Sequence, residues 1–266
     1  MTTHRTARTR HRAALVTGAT SGIGEAFARA LPASTDALLT GRDRGKLDRL
    51  AAELASPGRR VETVAADLGT DAGLDAVSAR AEAFGLDLLV ANAGVGPFGD
   101  FLQASEESLR ATVAVNVLAP TVLARRLLPG MLRRAGEAGR RAGLIVVSSN
   151  TAFVPVPRLA AYAASKSFDL SLAESLAAEL SSEPVDVLAL CPTATRTRFA
   201  ARSGFGGGNL PGAEDPADVA RAALAALGRV RTLVRGPASA SLFTLPALAR
   251  AAVAQTLALV LPRRQG

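Results

Sequence analysis

The sequence is poor in the residues on which many active sites are built. Its 266 residues include one cysteine, Cys191. A single thiol excludes an internal disulfide framework and a Cys-rich metal site. The two histidines, His4 and His11, fall in a polar N-terminal stretch. That leaves none for a His-based metal centre or a Ser-His-Asp triad in the core, and no metal is expected. Tryptophan is absent and aromatics make up 4%, little material for stacking on bases. No nucleic-acid-binding motif accompanies the basic residues, so no nucleic-acid partner is expected. Lysine is equally scarce. Although Lys+Arg number 31 against 23 Asp+Glu, for a net charge of +8, the only lysines are Lys46 and Lys166. The single tyrosine is Tyr162.

What is abundant is apolar: 48% hydrophobic against 20% charged residues, enough for one large folded domain. Arg5, Arg8, Arg10 and Arg12 crowd into residues 1–12, which read as a solvated, disordered basic tail. Residues 13–240 form the main domain, and 241–266 read as an apolar helical extension of it. Within that extension Pro246, Arg250 and Gln255 interrupt any membrane span. Packing on the domain or a partner subunit is the expectation. Contact with an anionic membrane surface through Arg263 and Arg264 is the alternative. Without a secretory pattern or disulfides, the expected location is cytoplasmic.

Short apolar runs alternate with amphipathic stretches. Strands are expected at 13–17, 37–40, 61–65, 86–91, 144–148, 185–190 and 232–234. Helices are expected at 24–31, 44–54, 73–83, 106–134, 160–180 and 216–227. Thr70, Ser105 and Asp215-Pro216 supply helix-start signals. Seven strands alternating with helices imply an α/β fold: a single-domain, Rossmann-type, doubly wound parallel sheet with helices on both faces.

The first strand runs into Gly18-Ala19-Thr20-Ser21-Gly22-Ile23-Gly24, and a helix follows. Glycines between a strand and a helix allow a sharp turn, a close approach of pyrophosphate to backbone, and tight helix–sheet packing. The helix N-terminus attracts the phosphate. The spacing is G-x-x-x-G-x-G. The second strand ends in Gly41-Arg42, where an NAD-preferring site usually places a carboxylate. A guanidinium pairs with a 2′-phosphate, so NADP(H) is expected over NAD(H), with NAD(H) use still open.

Lys166 follows Tyr162 by four residues on an expected helix, so both project from one face. A chain that uses arginine almost everywhere keeps an ammonium here. Reduction of a carbonyl by hydride needs a proton donor for the forming alkoxide. A phenol can give that proton, but with a pKa of about 10 it is a poor base for the reverse reaction until a nearby ammonium and an oxidised nicotinamide lower the pKa. Lowering by roughly two to three units corresponds to about 3–4 kcal/mol. Ser149, just past the fifth strand, reaches the same crevice.

These residues carry a resemblance. The set Thr17-Gly18-x3-Gly22-x-Gly24, Asn92-Ala93-Gly94, Asn116, Ser149 and Tyr162-x3-Lys166 resembles the short-chain dehydrogenase/reductase family over residues 13–235. The resemblance implies Tyr162 as general acid/base and Lys166 as the residue that binds the nicotinamide ribose and lowers the tyrosine pKa. It implies that Ser149 orients the substrate carbonyl and that Asn116 holds a water linking Lys166 to solvent. Asp67, with Leu68 beside it, is similar to the adenine contact, and 92–94 to the segment lining the adenosine ribose. Pro192, Thr195 and Thr197 resemble the nicotinamide-side contacts, although Thr193 stands where the family usually has glycine. Arg235-Gly236-Pro237 also departs from the usual Asp-Gly-Gly ending. The family pattern further implies a homodimer or homotetramer built through helices 106–134 and 160–180.

The expected activity is therefore NADP(H)-dependent interconversion of a ketone or aldehyde and its alcohol. The expected substrate is a small, apolar-leaning molecule bound among 95–98, 151–156 and 199–210, including Phe98, Phe153, Val154, Phe199 and Phe205. Those phenylalanines could equally fill the core. The 206–208 glycine run suits a lid. Reduction of carrier-bound 3-oxoacyl thioesters is an alternative, since a basic protein suits an acidic carrier. A catalytically silent nucleotide sensor is a second alternative, but such a protein would be free to lose Tyr162 or Lys166.

Overall fold

The computed structural model describes residues 11–199, 203–204 and 212–236. The expectations for residues 1–10, for Phe205 and the 206–208 glycines, and for the extension 241–266 lie outside the described residues.

Seven strands form one parallel sheet in the order β3-β2-β1-β4-β5-β6-β7. They are β1 (Ala13–Thr17), β2 (Asp36–Gly41), β3 (Val61–Ala65), β4 (Leu88–Ala91), β5 (Ala142–Val147), β6 (Val185–Cys191) and β7 (Thr232–Val234). The helices are α1 (Gly22–Ala30), α2 (Arg44–Leu54), α3 (Asp71–Phe84), α4 (Glu106–Val113), α5 (Ala119–Glu137), α6 (Ala160–Glu179) and α7 (Pro216–Ala226). The strand pleat sorts the apolar residues into two cores. Leu15, Leu38, Leu89 and Leu144 face α3, α5 and α6. Val16, Leu39, Val90 and Ile145 face α1, α2 and α7. Residues adjacent in a strand thus enter opposite layers, which is why the central strands read as unbroken apolar runs. Strand order reverses between β1 and β4, opening a crevice at their carboxyl ends.

The expected caps form. Thr70, Ser105 and Asp215 each accept a backbone N–H in the first turn of α3, α4 and α7, and Pro216 occupies the first turn of α7. Each such cap stabilises its helix by about 1 kcal/mol.

Two expectations change. Residues 11 and 12 belong to the fold and not to a disordered tail. The Asp87 carboxylate accepts the Arg12 and Ala13 amides, Thr35 Oγ1 donates to the His11 carbonyl, and burial lowers the His11 pKa. The helix expected at 106–134 is interrupted by a π turn, Ala114–Leu118, between α4 and α5. Pro120 explains the break. It has no N–H to give the Asn116 carbonyl, and its ring crowds that carbonyl, so the ladder shifts by one residue.

Candidate active site

The crevice is assembled by backbone economy. Thr17 ends β1, and its Oγ1 accepts the Asn92 and Ala93 amides at 2.8 and 2.9 Å while donating to the Val90 carbonyl. Asn92 returns a bond from Nδ2 to the Thr17 carbonyl at 2.8 Å. One hydroxyl and one amide therefore fix the glycine turn against the segment 92–94. Gly18 and Gly22 hold φ of +67° and +59°, a region that favours glycine. At Gly24 an added Cβ would collide with the Gly18 carbonyl and the Asn92 side chain. The close packing expected there is present, and the first amides of α1, at Gly22, Ile23 and Gly24, have no partners within their own helix.

At the end of β2, Gly41 lies against Thr20: a Cβ at Gly41 would come within 2.8 Å of the Thr20 methyl. Arg42 is exposed and makes no ion pair among the described residues. The nearest carboxylate along the chain, Asp43, is already committed. It caps α2 by accepting the Lys46 amide and pairs with Lys46 Nζ at 2.6 Å, which holds its pKa below the ordinary value. Asp67 is exposed after β3, with its Oδ1 on the Gly69 amide, and Leu68 is buried beside it. Pro192 is buried after β6. Thr195 is turned onto the Thr193 carbonyl, and the Thr197 side chain lies across Gly22, whose Cβ would meet it at 2.9 Å. The loop after β6 thus closes over the glycine turn, and Thr193 packs on Gly236.

The four residues expected to do chemistry converge at the ends of β4 and β5. Tyr162 opens the first turn of α6, with its ring centroid 5.0 Å from that of Phe199 and its flank against Gly96. Lys166 is 4% exposed, and Nζ donates to the Val147 carbonyl at 2.9 Å and to Asp169 Oδ2 at 2.8 Å. Ser149 hydrogen-bonds Tyr162, whereas its neighbour Ser148 is turned away, donating to the Lys166 carbonyl. Asn116 is fully buried in the π turn. Its Oδ1 accepts the Val95 amide, and its Nδ2 donates to the Val95 carbonyl and to Ser165 Oγ. Gly94 passes between Lys166 and Asn116: its Cβ would be 3.5 Å from Nζ and 3.6 Å from Oδ1.

Burial adds a cause that the Tyr162–Lys166 spacing does not show. Without a nicotinamide charge, the Tyr162 pKa lies above its ordinary value. Burial is the largest cause; the Lys166 ammonium and the Ser149 hydrogen bond pull it down, and Asp169 pushes it up. The Lys166 pKa is raised although burial disfavours its charge, because Asp169 lies against it. Burial of Cys191 pushes its thiol up to about 12. Sequence reasoning missed Asp169, Gly96 and Ser165. Asp169 had a signal, a carboxylate one helical turn beyond the only lysine on that helix; Gly96 had none beyond its place after 92–94.

Two hollows of about 490 Å³ flank the start of α6. One is walled by Phe153, Val154, Pro155 and Pro157, the other by Pro97, Phe98, Phe101 and Arg158. Tyr162 walls neither. Phe98 and Phe153 therefore line space as well as filling it.

Comparison with known proteins agrees with this architecture. Residues 12–204 match the family model described as short chain dehydrogenase. The chain is a short-chain dehydrogenase/reductase. Like others of its family it is an oxidoreductase acting on CH–OH and carbonyl groups with a nicotinamide cofactor. It is 42% identical over 229 residues to 1-deoxy-11-beta-hydroxypentalenate dehydrogenase from Streptomyces arenae, spanning 80% of this chain and 79% of that protein. A short-chain dehydrogenase from Sphingobium yanoikuyae in complex with NADPH is similar at TM-score 0.75 and 32% identity, covering 96% of this chain and 98% of that one. A 3-ketoacyl-(acyl-carrier-protein) reductase from Brucella melitensis complexed with NADH is similar at TM-score 0.73 and 30% identity, covering 84% and 96%.

Proposed function

We propose that this dehydrogenase interconverts a ketone or aldehyde and its alcohol with NADP(H), using Tyr162 as the proton-transfer group. The observation that carries this is the meeting of a phenol, a buried ammonium and the Ser149 hydroxyl at the carboxyl ends of β4 and β5, beside a glycine turn shaped for pyrophosphate. When bound, the coenzyme supplies or accepts the hydride. In reduction, Tyr162 gives its proton to the carbonyl oxygen as negative charge develops there. Ser149, whose hydroxyl donates to Asn150 Oδ1 at 3.2 Å in the resting site, would turn that donor to the same oxygen. Lys166 has three donors, two of them used by Val147 and Asp169, so one remains for a ribose hydroxyl. Both N–H groups of Asn116 are occupied, and the free lone pair of its Oδ1 would accept a water beside Gly94.

The coenzyme would lie along Gly18, Thr20, Ser21 and the α1 amides, with Asp67, Leu68 and 92–94 at its adenosine end and Pro192, Thr195 and Thr197 at its nicotinamide end. Preference for NADP(H) follows from Arg42, whose guanidinium is uncommitted among the described residues, and from Asp43, whose charge Lys46 already matches. The apolar wall of the hollow lined by Phe153, Val154, Pro155 and Pro157 favours an apolar or amphipathic substrate. The Streptomyces relative, named for a hydroxypentalenate, is in keeping with that. Reduction of 3-oxoacyl thioesters is the second reading, favoured by the Brucella neighbour. Half-exposed Val113, Leu118 and Phe168 on the α4, π-turn and α6 surfaces support association into a homo-oligomer. The cytoplasm remains the proposed location.

The test is NADPH oxidation, followed at its absorbance band, against ketones, aldehydes and 3-oxoacyl thioesters. Turnover with a ketone or aldehyde that disappears in Tyr162→Phe supports the proposal, and turnover confined to thioesters selects the second reading. Full-rate turnover in Tyr162→Phe overturns the assigned role.

A further inference from the structure

The mechanism above leaves one buried charge without a task. Asp169 sits on α6 one turn beyond Lys166 and is 2% exposed. Its Oδ2 accepts the Lys166 ammonium at 2.8 Å, while its Oδ1 is buried with no hydrogen-bond partner among the described residues. A buried carboxylate with half its acceptors unused is expensive to maintain, and a neutral residue of similar size would avoid that penalty. The pair lies directly behind the reacting groups, since Lys166 Nζ is 5.9 Å from the Tyr162 ring centroid. Tyrosine, lysine and aspartate thus form a row along one face of α6.

We propose that Asp169 is a positioning residue for this reaction, anchoring the Lys166 ammonium in the dry interior and sharing its charge with Tyr162. The anchoring follows from burial: an isolated ammonium in this place would shed its proton or swing out of the crevice. With the carboxylate beside it, Lys166 stays charged and points its remaining donor toward Gly94. The sharing follows from position. Tyr162 meets an ion pair and not a lone cation, so Asp169 offsets part of the pull that Lys166 exerts on the phenol. The phenol therefore keeps its proton to higher pH, which suits a proton donor in carbonyl reduction. The other groups facing this row do not compete. Cys191 on β6 stays a neutral thiol, its pKa being about 12. Glu174, further along α6, accepts the Thr232 hydroxyl at 2.6 Å. Ser148, Ser149 and Asn116 are uncharged.

The inference rests on the reading of Tyr162 as the proton-transfer group, but its test does not require turnover. With two lysines in the chain, protein labelled with nitrogen-15 at lysine gives two side-chain resonances, and Lys46, half-buried at the surface and paired with Asp43, is the internal reference. In the cofactor-free protein the Lys166 ammonium protons should exchange with water far more slowly than those of Lys46. In Asp169→Asn the Lys166 titration should move down by at least about one pH unit, a tenfold change, while Lys46 does not move. Asp169→Glu should restore most of the difference. In the loaded enzyme the alkaline limb of the pH profile for reduction should move the same way in Asp169→Asn, because removing the negative charge eases the first proton loss from the Tyr162–Lys166 pair. Equal exchange at the two lysines in the unsubstituted protein overturns the proposal even if Asp169→Asn does not fold. So does a folded Asp169→Asn variant with an unmoved Lys166 titration. Absence of turnover in the unsubstituted enzyme would instead strike at the proposed function and leave the NMR result standing.

Discussion

Gly96→Ala is the substitution whose consequence is most directly measured by distance. Gly96 is buried, and its added Cβ would lie 2.7 Å from Tyr162 Cδ2 and 2.9 Å from Tyr162 Cβ. Comfortable carbon–carbon contact begins near ~3.5 Å, so one side must yield by roughly 0.8 Å. Gly96 does not occupy the left-handed region, so alanine fits its backbone and the conflict is purely one of space. On its other side the tyrosine ring meets Phe199, which leaves little slack. Overpacking of this kind costs about 1–3 kcal/mol of stability, and a displacement approaching 1 Å at a reacting group costs about a hundredfold in rate, or about 2.7 kcal/mol. The assay is kcat for ketone reduction at saturating NADPH, paired with thermal unfolding. Gly136→Ala on α5, where the added methyl meets nothing within 4 Å, is the control and should keep full activity. If Gly96→Ala keeps kcat within about twofold of the parent, the claim that this glycine seats Tyr162 is wrong.

Other outcomes follow from the same geometry. Arg42→Ala should weaken NADPH binding about tenfold or more relative to NADH, measured as the ratio of the two dissociation constants; an unchanged ratio removes Arg42 from the 2′-phosphate site. Since the chain has one tyrosine and no tryptophan, an alkaline titration of phenolate absorbance reports Tyr162 alone. In the cofactor-free protein its midpoint should lie above the ordinary value of 10.0, and a midpoint at or below that value contradicts the dominance of burial. Asn116→Ala strips the partners from the Val95 amide and carbonyl, and should cost about 2–4 kcal/mol in denaturant unfolding as well as activity. His11 has a folded pKa below its ordinary 6.5, so the unfolded chain takes up its proton first. Stability should therefore fall as pH drops below about 6.5, and His11→Asn should flatten that part of the profile; an equally steep acid slope in the variant assigns it to other groups.

Much of this was legible in the sequence because the chemistry leaves few options. A parallel sheet covered on both faces must read as unbroken apolar runs, and β1, β3 and β7 keep the expected bounds. Thr70, Ser105 and Asp215 announce their helices because the capping hydroxyl or carboxylate belongs to the residue itself. The tyrosine–lysine spacing and the glycine turn are local patterns, so they survive reading in one dimension. What the sequence concealed depends on contacts between distant segments. Thr17 looks like any strand-end threonine until its hydroxyl is seen to join β1 to the segment after β4. The π turn needed Pro120 to be read as a lost donor for Asn116, whereas the apolar period alone argues for one continuous helix. Asp87 draws His11 and Arg12 into the fold from about 75 residues away. The Tyr162 pKa of the cofactor-free protein lies above its ordinary value because burial, which a four-residue spacing does not show, outweighs the pull of Lys166.

The most direct measurement is a crystal structure of the enzyme soaked with NADP(H). The account predicts the pyrophosphate on the α1 amides, the Lys166 amine on a hydroxyl of the nicotinamide ribose, and the Tyr162 hydroxyl beside the nicotinamide carbon that carries the hydride. A nicotinamide seated elsewhere, with Tyr162 and Lys166 out of its reach, would contradict it.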